Sequence, residues 1–229
     1  FEGGRDSIPY SACSQATRLK KVVIPAGVVK IYNYAFYCCT ALTGGGITIP
    51  AGVTWVGLYA FSGCTALTGH GVSLPDTVTG IGEGIFQNCS GITEFALPDS
   101  VRSIGDRAFA GCNFETAVLP NQLKTIGAFA FQNCVRLTSV TLPESLTTMY
   151  GCVFSGCTKL KSLTVPQYVT QMYSGWSGSD HSSLEGSSIE TVVFEGGRDS
   201  IPYSACSQAT RLQKVVIPTG VVKIYNYAF

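Results

Sequence analysis

The sequence predicts a mainly β solenoid of about nine units, each 22–29 residues long, with short strands joined by tight turns or short helical segments. Three markers keep one period. Phenylalanines fall at Phe36, Phe61, Phe86, Phe109, Phe131 and Phe154, spaced 25, 25, 23, 22 and 23 residues apart. A cysteine stands three residues after each, at Cys39, Cys64, Cys89, Cys112, Cys134 and Cys157. Prolines recur at Pro25, Pro50, Pro75, Pro98, Pro120, Pro143, Pro166 and Pro218. The composition, 45% hydrophobic and only 13% charged with 26 Gly, suits a core drawn out as a strip.

Each unit has the same parts in the same order. In Leu137–Pro143 the alternation of Leu137, Val140 and Leu142 sends apolar groups to one face and Thr141 to the other. Proline then ends the strand because it has no amide to donate to a ladder. A second apolar pair follows, such as Val101/Ile104 or Leu123/Ile126, and in several copies a Gly turn. The Phe and Cys belong to the next turn. Before the Cys stands Gly63, Asn88, Gly111, Asn133 or Gly156, residue types that tolerate a left-handed backbone, so φ is expected to be positive there. One unit cannot bury its own apolar face; stacked units can, giving ladders of Phe, of Cys and of aliphatic side chains.

The recurring pattern IGxxAFxxCxxLxxVxLP resembles the BspA-type (Treponema pallidum-type) leucine-rich repeat. It runs through nearly the whole chain and is broken at residues 173–189 and in shortened units near 1–19 and 194–212. The resemblance implies a leucine-rich-repeat solenoid of a secreted or cell-surface, extracellular protein. Adhesion is the role it most often implies, with no enzyme activity.

Residues 1–36 and 194–229 are identical except for Lys20 to Gln213 and Ala26 to Thr219, so a block of 193 residues has been duplicated. The chain reads as a single solenoid segment over 1–229, an excerpt of a longer array. Its uncapped ends offer a route to self-association. Phe1 is not an initiator residue, so the true N-terminus, and any address it carries, is expected to lie outside this stretch. A loop insertion, 173–188, interrupts the period with YSGWSGSDHSSLEGSS. Smaller insertions, Thr43–Gly46 and Thr68–Gly71, precede the strands of two adjacent units.

Net charge is +1, which makes no case for nucleic acid, and no apolar run is long enough to insert in a membrane. No Lys or Arg lies between Lys30 and Arg102, leaving an acidic middle with Asp76, Glu83, Glu94 and Asp99. The periodic cysteines read as buried free thiols. Cys38 and Cys152 are off register and five rungs apart, too far for a disulfide with each other. A crosslink from either to another molecule stays open. No C-x-x-C pair with partner ligands is present, which argues against zinc.

Histidines number only 2, which leaves few carriers for acid–base chemistry. Asp180-His181-Ser182 are adjacent and lack triad geometry. Asp180, His181 and Glu185 offer a cation only a nonspecific spacing. No cofactor motif is found. Asn88-Cys89-Ser90 is a glycosylation sequon, although turn geometry alone accounts for Asn88.

Two surfaces remain as candidates for a protein or glycan ligand. One is the outward column of the sheet, which includes Val118, Thr141 and Thr164 with Val23, Thr48, Ser73, Ala96, Val193 and Val216. The other is the insertion with Tyr173, Trp176 and His181, together with tyrosines that recur elsewhere along the chain at Tyr32, Tyr34, Tyr59, Tyr150 and Tyr225. Small β-branched side chains equally make an ordinary solvated strand surface, and tyrosines equally serve partial packing. The competing role is a structural stalk or fibre built from the duplicated block.

Overall fold

The computed structural model describes residues 6–68, 72–174 and 181–229. They form a mainly β solenoid of about nine turns carrying two ladders of short, parallel strands. The first ladder holds the strand that ends in proline in every unit but one, Thr191–Phe194 running instead into Glu195. It runs through Val22–Val23 and Ile47–Thr48, then Thr116–Val118 and Ser139–Thr141, then Ser162–Val165, Thr191–Phe194 and Lys214–Val216. The second ladder holds the next apolar pair. Ser7–Ile8, Lys30–Ile31 and Trp55–Val56 make one sheet. Gly80–Ile81, Ser103–Ile104, Thr125–Ile126 and Thr148–Met149 make another, and Ser200–Ile201 pairs with Lys223–Ile224.

The third side is a stack of turns. Each turn hands its amides to the following rung: Phe86 N to Ala108 O at 2.9 Å, then Phe109 N to Ala130 O at 2.9 Å. Among the described residues the only helical element is the single 3-10 turn Gly44–Gly46, so tight turns, rather than helical segments, carry the Phe and Cys.

The Phe column is continuous. Rings stack face to face from Phe36 through Phe61, Phe86, Phe109 and Phe131 to Phe154, at centroid distances of 5.3, 5.8, 5.7, 5.6 and 5.9 Å. All six are at most 2% exposed. All the cysteines are free thiols; those of the periodic column are buried as their spacing predicts, except the half-buried Cys13, and the column does more than pack. Cys64, Cys89, Cys112 and Cys157 donate through Sγ to the carbonyl of the Phe one rung earlier, at 3.0–3.2 Å. Each of these carbonyls already accepts the amide three residues on in its own rung, so the thiol of the next rung adds a second, weaker donor that ties the two rungs together.

Positive φ is found at each expected site: Gly63, Asn88, Gly111, Asn133 and Gly156, between 57° and 75°. The alternation has a cause. A Cβ on Gly111 would sit 2.6 Å from Asn88 Oδ1, so the larger residue of one rung leans over the glycine of the next. Cys38 belongs to this set. Its φ is 54° and its Sγ lies over Gly63 as Asn88 lies over Gly111.

A second left-handed column was not legible in the sequence. Tyr34, Tyr59, Arg107, Phe129 and Cys152, each two residues before the Phe, have φ between 53° and 58°. Bulky residues are strained there. Their amides are held by the neighbouring rung: Tyr59 N to Glu83 O at 2.9 Å, Arg107 N to Ala128 O at 2.9 Å, Phe129 N to Gly151 O at 3.0 Å.

Candidate binding surfaces and the insertion hairpin

The outward column of the first ladder is where the alternation places it. Val23 and Val118 are 68% and 72% exposed, Thr48, Ser73, Ala96, Thr141 and Thr164 are exposed, and Val193 is half-buried. Val118 and Thr141 are cross-strand partners, whereas Thr164 pairs with Val193 in a separate sheet. The face is not one continuous platform. Residues 72–74 and 95–97 join no ladder, and an open depression of about 500 Å³ lies there, lined by Ser73, Glu94, Phe95, Ala96, Thr116 and Val118 among others. The interruption coincides with Phe95, which stands where other units have Val140 or Val22. Its ring turns inward onto Phe86 and Phe109, at 4.9 and 5.7 Å.

A second depression opens where the other ladder breaks. Gln171 makes only a single bridge to Thr148, and the chain then forms a small antiparallel hairpin, Tyr173–Ser174 with His181–Ser182. Beside it, Gln167, Tyr168, Tyr173, Arg198, Asp199, Ser200, Tyr203 and Tyr225 line about 570 Å³. Tyr173 meets Tyr203 edge-on at 5.1 Å.

Arg198 is only 7% exposed. Its Nη2 donates to the Pro166 carbonyl, its guanidinium lies 5.0 Å over the Phe194 ring, and Nε and Nη1 have no hydrogen-bond partner. Burial pulls its pKa down and the charge of Glu195 opposes that, as expected of a cation held away from water.

Of the residues singled out from sequence, Tyr173 lines this depression, His181 stands at the hairpin base, and Trp176 lies outside the described residues, as does Asp180. Sequence reasoning missed Arg198, Tyr168 and Tyr203. The one available signal was that the EGGRDS stretch, residues 195–200, departs from the repeat.

His181 does not face the tyrosines. Its Nδ1 lies 2.8 Å from Oε2 of Glu185, four residues on, because the turn that follows the hairpin folds back with Glu185 N donating to Ser182 O at 3.2 Å. The off-register Cys152 meets the same pair. Cys152 N donates to Ser182 O at 2.8 Å, and its Sγ, an imidazole nitrogen of His181 and a carboxylate oxygen of Glu185 all lie within 4.8 Å of one another. Cys152 is 5% exposed, which removes it as a crosslink to another molecule. Burial, then the charge of Glu185, pushes its thiol up to about 11, so at neutral pH it is not a nucleophilic thiolate.

A family profile for the BspA type leucine rich repeat region, in 6 copies, matches residues 6–73, 70–177 and 173–229. The chain belongs to the BspA-type leucine-rich-repeat family. Among solved structures it is similar to the leucine-rich-repeat protein of T. pallidum, with 28% identity, a TM-score of 0.58, and coverage of 84% of this chain and 77% of that one. A leucine-rich-repeat protein from Bacteroides ovatus shares the fold at 23% identity and a TM-score of 0.57, covering 86% of this chain and 66% of that one. So does the pneumococcal vaccine antigen PcpA, at 19% identity and a TM-score of 0.58, covering 96% of this chain and 54% of that one. The chain thus spans between about half and three quarters of the length of these proteins. No functionally curated protein matches it by sequence. In this BspA-type chain both depressions lie where a ladder of the repeat is interrupted, so the surface features come from departures from the family pattern.

Proposed function

We propose that this BspA-type segment is a non-catalytic recognition scaffold of a secreted or cell-surface protein, and that it engages a protein or glycan ligand in the depression beside the insertion hairpin. The observation that carries this is the convergence of Tyr168, Tyr173, Tyr203 and Tyr225 on one open concavity with Asp199, Ser200 and Gln167 at hand. Tyrosine offers a broad apolar ring with a polar tip, which suits sugar faces and recurs at interface hot spots. The sheet column, small and uncharged, lacks such anchors.

The family is one whose repeats serve protein binding, and the pneumococcal protein of the same fold is a vaccine antigen, which supports an extracellular setting. Among the described residues no helix is long and apolar enough to cross a membrane. The test is binding to a glycan array and to extracellular-matrix proteins. Tyr203→Ala should weaken the best ligand at least tenfold, while Thr141→Ala should leave it unchanged; the reverse ranking would move the site to the sheet.

A stalk is the second reading, and one observation favours it. Ser7 and Ile8 pair with Lys30 and Ile31 in the register that Ser200 and Ile201 adopt with Lys223 and Ile224. The duplicated block therefore re-enters the same fold one block later. A stalk would bind none of the arrayed ligands.

A further inference from the structure

Two departures from the repeat, remote in sequence, meet in space. Cys152 stands in the left-handed column that elsewhere holds Tyr34, Tyr59, Arg107 and Phe129. His181 and Glu185 belong to the insertion. In the regular rungs the amide of that column is bonded to a carbonyl of the following rung; at Cys152 the acceptor is Ser182, so the hairpin base takes the place of the next rung. Cys152 is thus held beside His181 by backbone before any side chain is considered.

We propose that Cys152, His181 and Glu185 form a binding site for a divalent transition metal, zinc by preference, that pins the hairpin to the solenoid wall. One sulfur, one imidazole nitrogen and one carboxylate oxygen are a borderline-soft donor set, which selects zinc over calcium or magnesium. Tetrahedral zinc with these ligands needs donor separations of roughly 3.4–3.6 Å. The three donor atoms already lie within 4.8 Å of one another, so rotamer adjustments of about 1 Å close the site.

Three protein ligands leave a fourth position for water. The bond that forms is metal to Sγ; the thiol proton leaves to solvent, so the metal supplies the positive charge that a buried thiolate needs. The hairpin has a structural use for the staple. Its strands are two residues each and pair only with one another. The nucleophile reading of the same cluster fails because a Cys–His–acid triad needs an accessible thiolate, and Cys152 is a buried thiol.

Cobalt(II) is the probe, titrated into the full chain under reducing conditions and then displaced by zinc. The expected result is one cobalt per chain, with a thiolate-to-cobalt charge-transfer band and the d–d absorption of a tetrahedral site. Affinity should rise with pH as the proton is released. Cys152→Ser should abolish the charge-transfer band, and His181→Gln and Glu185→Ala should each weaken binding at least tenfold. The double variant Cys13→Ser, Cys38→Ser, which changes the two half-buried thiols, should keep the band. Because Cys152 lies in a packed turn, the half-buried Glu185→Ala serves as the variant that retains the fold. No band in the parent chain, a band that survives Cys152→Ser, or undiminished affinity in folded Glu185→Ala would each overturn the site.

Discussion

Ile31 and Ile224 occupy the same place in two nearly identical stretches, residues 7–36 and 200–229, yet Ile31 is fully buried and Ile224 is 51% exposed. Phe36 and Phe229 repeat the contrast at 0% and 56%. Ile31 lies between Ile8 and Val56, whereas Ile224 has Ile201 on one side and no strand beyond it in this chain. The difference also runs the other way. Tyr10 is 65% exposed, while its counterpart Tyr203 is half-buried against Tyr173. Cys13 is half-buried and Cys206 is buried. Burial here is a property of stacking, conferred by the adjacent rung, and the same letters acquire it or lose it with their neighbours.

The largest test of that comparison is at the Phe column. Phe36→Ala opens a cavity between rungs and should cost about 3–5 kcal/mol of unfolding free energy in urea. Phe229→Ala should cost less than about 1 kcal/mol, since a side chain that stays half in water loses little on truncation. Equal costs would mean that the column does not act through its neighbours.

Glycines sharpen the point. A Cβ on Gly127 would lie 2.5 Å from the Asp106 amide nitrogen, so Gly127→Ala must push two backbones apart, at about 1–3 kcal/mol. Gly220 has φ of 96° with open space around it, so Gly220→Ala carries only the backbone term of about 1 kcal/mol. Denaturation midpoints of the two variants should rank in that order.

Thiol chemistry separates Cys13 from Cys206. Burial raises both thiols, Cys206 up to about 12, but Cys13 is only half-buried whereas Cys206 is buried. Iodoacetamide at neutral pH should therefore modify Cys13 well before Cys206, read by peptide mass mapping. The same shifts set the alkaline limit of stability. A raised thiol pKa means that the fold holds the neutral form. Its contribution is complete below the ordinary thiol value of about 8.5 and drains away as pH climbs toward the folded values, about 11 for Cys39 and about 12 for Cys89. The urea midpoint should hold at pH 7–8 and fall above about pH 9. The smallest effect belongs to the sheet face: Thr141→Glu should change stability by no more than about 0.5 kcal/mol.

The sequence made the repeat legible because its rules are local and written many times. Phe86, Cys89 and Leu97 announce a rung, Asn88 and Gly111 announce its left-handed turn, and the alternation around Thr141 announces which face meets water. What it did not disclose were substitutions whose effect depends on the next rung. Phe95 reads as another inward apolar residue, but its ring, only half-buried against Phe86 and Phe109, stands at the point where the first ladder is interrupted. Arg198 reads as a surface charge in a polar stretch, yet it is buried against Phe194 and the Pro166 carbonyl. Cys38 and Cys152 both read as strays. One proves to do the work of an asparagine over Gly63, and the other joins His181 and Glu185.

By itself, then, the sequence determined the period, the ladders and the inward or outward sense of nearly every side chain, because each follows from spacing within a single unit. Only the tertiary structure decided which copies are buried, where the ladders part to leave a depression, and that Cys152 meets the insertion. Those depend on contacts 20 to 34 residues apart along the chain, between rungs, where spacing along one unit carries no information.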